Sequence, residues 1–157
     1  MTTDKTYNEI VKFSSQEHEA LMGVWWVGQM LKKRARRFFS DYLSSEIQFN
    51  IMLLLKYADH PLSQQELSEK LLVDKSNLTG VAGRMETAGL LIRKVASNNA
   101  RAYQLELTPL GRQILEHLEP PYDQKVKQLM EEFSPQELDT LIHFMERMQR
   151  AVNRENE

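Results

Sequence analysis

The chain contains no cysteine, which excludes disulfides, thiol-based redox sensing and any cysteine-ligated metal. No apolar run approaches the roughly 20 residues that cross a bilayer, so no membrane partner is expected. The start, MTTDKTYNEIVKFSSQEHEA, lacks the basic leader and apolar block of a secretory signal, and a cytoplasmic location is expected. His18, His60, His117 and His143 stand singly, with no i, i+4 pair and no clear partner carboxylates, so no metal site is expected. There is no Ser/His/Asp order, no phosphate-cradling loop and no dinucleotide fingerprint, since a helical stretch separates Gly83 from Gly89. The chain is therefore read as a non-enzyme that needs no cofactor.

What is present is an ordinary soluble composition. The 157 residues are 41% hydrophobic and 27% charged, enough for one domain with a proper core and short for two independent ones. The net charge of −2 conceals an uneven distribution. Between Lys75 and Arg101 the basic residues Lys75, Arg84, Arg93, Lys94 and Arg101 face only Glu86, whereas from Tyr103 onward eleven acidic residues outnumber six basic ones. Positive charge is thus concentrated in the middle of the chain, where a nucleic-acid surface would need it.

Four capping boxes mark helix starts: SSQE (Ser14, Glu17), SEIQ (Ser45, Gln48), SQQE (Ser63, Glu66) and SPQE (Ser134, Glu137). In each, a serine caps the backbone while the later Glu or Gln reaches back. LTPLG adds another start, with Thr108 as cap and Pro109 following, and Asp74 stands where a cap would open a further helix. Apolar periodicity then predicts helices over about Glu17–Phe39, Glu46–Tyr57, Gln64–Leu71 and Lys75–Ala88, the last ended by Gly89 in a left-handed turn. The run LLIRKVASNNARAYQLEL reads as a β-hairpin with its tip at Ser97–Ala100. A long helix from Pro109 to about Glu132 must be kinked or divided at Pro120-Pro121, and a final one spans Pro135 to about Asn153.

Short helices and a hairpin between long, widely apolar helices define the expected fold class. It is mainly α with a small β-hairpin wing. A winged helix-turn-helix lobe over about residues 44–108 is joined to a helical dimerisation lobe formed by the N- and C-terminal helices, about 15–43 and 109–157. The terminal helices carry more apolar surface than one small core absorbs, so a homodimer is expected, matching the two-fold symmetry of DNA sites.

In such a fold the second helix of the helix-turn-helix enters the major groove. Leu78, Val81, Ala82 and Met85 form its core face, opposite Ser76, Thr79, Gly80, Gly83 and Thr87, with Lys75, Asn77 and Arg84 on the flanks. Two glycines on a polar face are costly, each about 0.8–1 kcal/mol relative to alanine. They make sense where another surface approaches closely, which DNA or a protein partner would do.

The runs LSQQELSEKLLVDKSNLTGVAGRMETAGLLIRK and NNARAYQLELTPLGRQIL resemble the MarR family of bacterial transcription regulators. The resemblance lies in the DKS-x-x-T start of the recognition helix, the R-M-E-x-x-G-L close, the wing arginine and the L-T-x-x-G entry to the next helix. It implies that Ser76, Asn77, Thr79 and Gly80 read the major groove, and that Lys75 and Arg84 touch backbone or base edges. Arg101 matches the arginine that a wing inserts into the minor groove. Two departures stand out: Gly80 occupies a position that is often arginine, and Asn99 replaces the wing aspartate, so its hydrogen bond to the wing arginine has no charge assistance.

KKRARR, Lys32 to Arg37, reads either as a solvated helix face or as a phosphate contact outside the groove. Trp25, Trp26, Phe39, Phe49 and Met52 read as core. In the resembled family such aromatics line a pocket, which here would suit a small aromatic or phenolic effector. The expected function is a sequence-specific, ligand-responsive repressor that binds double-stranded DNA at a pseudo-palindromic operator as a homodimer. The alternative is a helical dimeric adaptor whose winged domain contacts protein.

Overall fold

The computed structural model describes residues 11–96 and 99–154, apart from the side chains of 96 and 99–102. It contains α1 (Gln16–Phe39), α2 (Glu46–Tyr57), β1 (Leu62–Ser63), α3 (Gln64–Leu71), α4 (Lys75–Thr87), β2 (Leu91–Ala96), β3 (Asn99–Leu107), α5 (Pro109–Leu129) and α6 (Pro135–Arg154). The helix positions and the two hairpin strands agree with the sequence reading, and β1 is an addition to it; of the expected tip, Ser97–Ala100, Asn99 and Ala100 already belong to β3 and residues 97–98 lie outside the described residues. Two residues are too few to show a period, and β1 exists only because Leu62 and Ser63 pair with Leu105 and Gln104.

The chain divides into two compact units, residues 1–118 and 119–157. The first holds an antiparallel sheet in the order β1-β3-β2. Its register sets Leu91 opposite Leu107 and Arg93 opposite Leu105, so Leu91, Leu105 and Leu107 fall on one face and are buried. Against them lie Phe49, Ile51 and Met52 of α2, Leu67 of α3, and Leu78, Val81, Ala82 and Met85 of α4, all buried. The buried set of α4 is the one that the helical period predicts. In the second unit, α6 has no buried residue among those described.

The caps are partly as expected. Ser63 and Glu66 form a complete reciprocal box at α3, and Ser134 and Glu137 exchange the same bonds at α6. At α1 the cap is Ser15, which accepts from the His18 N–H, and not Ser14; the adjacent serine takes the role because the helix begins one residue later. Ser45 makes no side-chain cap bond at α2, because Gln48 Oε1 instead accepts the Ser44 N–H at 2.8 Å. Asp74 occupies the N-cap position of α4 without a side-chain cap bond.

Pro120 and Pro121 lie inside α5, which is not divided there. Lacking N–H groups, they leave the carbonyls of Glu116 and His117 without the usual i+4 donor. The flanking turns carry the helix through, and Tyr42 ties the preceding turn down by a 3.0 Å hydrogen bond between its hydroxyl and His117 Nε2.

Candidate nucleic-acid interface

α4 is built to be seen from one side. Its apolar positions are sealed against the sheet and the neighbouring helices, so the rotation of the helix is fixed by burial. Lys75, Ser76, Asn77, Thr79, Gly80 and Arg84 are all exposed. The predicted reading residues of α4 are therefore all on its exposed side.

The glycines of that face are not required by the chain's own packing. A Cβ on Gly83 would meet nothing within 4 Å, and one on Gly80 only the Arg84 guanidinium at 3.5 Å. Neither has the left-handed backbone that favours glycine. What they provide is a shallow outer surface on the helix.

The Thr79 hydroxyl donates to the Lys75 carbonyl at 2.8 Å. Its proton is thereby occupied within the helix, leaving the methyl group and the oxygen lone pairs to face outward. Thr87 is held similarly by the Gly83 carbonyl at 3.0 Å. The Ser76 and Asn77 side chains make no such bond among the described residues, so they are the polar groups open to base edges.

The basic stretch sorts into paired and open cations. Arg93 Nε lies 3.1 Å from Glu86, and Lys94 Nζ lies 2.6 Å from Glu106 across the β2–β3 ladder. Among the described residues Lys75 and Arg84 make no ion pair, and both sit on the exposed face of α4. Sequence counting treated all of these alike. The Lys94 pair was detectable only with the hairpin register in hand. Asn99 and Arg101 lie on β3 by their backbone, but their side chains fall outside the described residues.

His60 has the carboxylate partners that the sequence reading did not find. Its Nδ1 is 2.6 Å from Asp59 and its Nε2 is 3.1 Å from Glu66. The Ser63 backbone N–H, then the Ser63 hydroxyl, then His60 hold Glu66 down at about 2. Asp59 and then Glu66 push His60 above its ordinary value. This is a surface tie between the end of α2 and the start of α3. No group of ligating residues among those described is arranged to hold a metal.

The five residues considered for an effector pocket are not gathered around a cavity. Phe39 and Phe49 stack at 4.2 Å and with Met52 are closed core, whereas Trp25 and Trp26 are 53% and 40% exposed. A cleft of about 420 Å³ lies instead beside Lys32, Lys33 and Arg36 of α1, with Ser44, Ser45 and Glu46 opposite. Lys32 of the basic run pairs with Glu46 at 3.7 Å.

Residues 44–102 match the family model described as MarR family. Over that stretch the chain is similar to the MarR family. Among its relatives, the HTH-type transcriptional repressor YetL of Bacillus subtilis is 27% identical over 128 residues, covering 81% of this chain and 77% of YetL. The fold is shared with a MarR/EmrR family regulator from Acinetobacter sp. ADP1, at a TM-score of 0.80 and 20% identity over 89% of this chain and 99% of that one. It is also shared with S. aureus MepR in a DNA complex, at a TM-score of 0.74 and 16% identity over 90% and 99% of the two chains. Among the described residues, no helix is long and apolar enough to cross a membrane.

Proposed function

We propose that this chain is a MarR-family transcription repressor that binds double-stranded DNA sequence-specifically as a homodimer. The observation that carries the reading is the outward face of α4, where Lys75, Ser76, Asn77, Thr79 and Arg84 surround two glycines, with nothing over Gly83 and only the Arg84 side chain near Gly80. A close-lying helix of short polar side chains suits the floor of the major groove, and the open cations suit its phosphate walls. Arg101 is assigned to the minor groove and Asn99 to bracing it. The repressor role is supported by the kinship with YetL.

Dimerisation is supported by exposed apolar surface. Leu21, Trp25, Val27 and Met30 of α1 are each more than half exposed, as are Ile142 and Val152 of α6. A two-fold operator requires the two recognition helices of such a dimer about 34–36 Å apart, one turn of duplex. Residues 15–43 and 109–157 are accordingly assigned to the dimerisation lobe and 44–108 to the DNA-binding lobe. The repressor is read as ligand-responsive, its effector a small aromatic or phenolic molecule. The basic cleft beside Lys32 and Arg36 supports one that carries an acidic group. Such an effector acts only by preferring the dimer state in which the two helices no longer match the operator.

Selection of duplexes from genomic fragments, followed by titration of wild type, Arg84→Ala and Arg101→Ala, tests this reading. Enrichment of a two-fold site by wild type, with weaker binding by both variants, is expected. Absence of any selected duplex, or indifference to both substitutions, would overturn it.

A further inference from the structure

The turn between α3 and α4 contains an anomaly that neither folding nor the residues assigned above explain. Leu72 is the only described non-glycine residue with positive φ, at 52°, and it is 92% exposed. It ends α3 in a complete Schellman arrangement, with the Leu72 N–H donating to Glu69 and the Val73 N–H donating to Ser68. That position favours glycine, or asparagine after it, because a Cβ there is strained. A core role would explain a leucine, but this side chain is in solvent. The most exposed of the described large apolar residues and the strained backbone position thus coincide in one residue, and such an outlier points to function.

Its location indicates which surface it would meet. Leu72 precedes Lys75, the first residue of α4, by three positions, so the two lie within about 11 Å even if fully extended. The major groove is about 12 Å wide. With the start of α4 in the groove, a side chain within that distance can reach the groove wall. The wall presents deoxyribose carbon and phosphate oxygen, and a neutral branched side chain matches the sugar.

We propose that Leu72 is a DNA-positioning residue, making an apolar contact with deoxyribose beside the groove that α4 enters. The contact rests on the DNA-binding reading above. It holds the turn against the backbone and so fixes the depth and tilt of a recognition helix whose own face is short. The αL strain is tolerated because glycine would remove the contact.

The probe is a duplex that the wild-type chain enriches from a random-sequence pool, titrated by fluorescence anisotropy over a range of salt concentrations with Leu72→Asn and Leu72→Met. Asparagine accepts the αL backbone readily, so its melting temperature should equal or exceed wild type. Its affinity should still fall roughly three- to tenfold, the worth of a partly buried leucine, with the salt slope unchanged because no phosphate contact is lost. Leu72→Met, which keeps an apolar side chain of similar reach, should bind close to wild type. Equal affinity of the Asn variant and wild type overturns the inference while leaving the DNA-binding reading intact. A lower melting temperature for the Asn variant also overturns it, by removing the premise of a strained cap. A wild-type chain that enriches no duplex overturns both.

Discussion

The Thr108 hydroxyl donates to the Gly89 carbonyl at 2.5 Å while accepting the Gly111 N–H at 3.0 Å. One side chain therefore closes the C-terminal turn of α4 and caps the N-terminus of α5. The Thr108 N–H adds a bond to the Leu90 carbonyl at 3.1 Å, and Gly89 supplies the left-handed turn, with φ of 71°. At Gly111 a Cβ would stand 2.0 Å from the Leu90 oxygen, so α5 can lie on this backbone only with glycine there. α4 is thus fixed to the first turn of α5.

Gly111→Ala should destabilise the chain by at least about 1–3 kcal/mol, the usual cost of overpacking, because the obstacle is backbone and cannot move aside. Thr108→Val should cost about 1–2 kcal/mol through the lost cap and the unpaired Gly89 carbonyl. Urea titrations check both. A Gly111→Ala variant with the wild-type midpoint would contradict the close approach.

Gly80→Ala and Gly83→Ala should each stabilise the free protein, by about 0.5–1 kcal/mol on helix propensity, since neither Cβ meets an obstacle within the chain. Both should weaken operator binding. Opposite signs in thermal melting and in duplex titration are the expected signature. If Gly80→Ala binds as tightly as the parent, clearance over the helix is not what the glycines provide.

Substituting the open cations should reduce the salt dependence of binding, and substituting the paired ones should not. Lys75→Ala and Arg84→Ala are each expected to lower the slope of log K against log salt by about 1 per lost phosphate contact. Arg93→Ala and Lys94→Ala should leave it nearly unchanged, because Glu86 and Glu106 already balance those charges. Anisotropy at several salt concentrations ranks the four.

Glu66 makes part of the stability pH-dependent. Its folded value of about 2 lies below the ordinary 4.5, so the stabilisation is fully present above 4.5 and is lost as pH falls toward 2. His60 has the opposite sign. Its value is raised above 6.5, so its contribution is complete below 6.5 and fades as pH rises through the folded value. In thermal melts, wild type should exceed Glu66→Gln at pH 6, with the gap closing toward pH 2. The gap to His60→Ala should narrow as pH becomes alkaline.

Much of this architecture was legible along the chain because it is enforced locally. The burial of Leu78, Val81, Ala82 and Met85 follows from a 3.6-residue period, and the Ser63 and Ser134 boxes are contacts between residues three apart. The misreadings arose where two local solutions compete. Ser14 and Ser15 are both good caps, and Gln48 can reach Ser44 as well as Ser45. Of the kink or division expected at Pro120-Pro121, division did not occur, because a helix that is packed ahead of the prolines can continue past the missing donors.

By itself the sequence determined the helices, the hairpin, the polar face of α4 and the family motifs, since each depends on residues within a few positions of one another. Only the tertiary structure decided which charges are open. Lys94 meets Glu106 through the hairpin register, Arg93 meets Glu86 where β2 packs on α4, and His60 finds Glu66 across a turn. Tertiary structure also placed Phe39, Phe49 and Met52 in closed core and left Leu72 in solvent. The physical reason is the same in each case. Pairing and burial depend on which distant backbone lies alongside, and that is fixed by the packing of the whole domain.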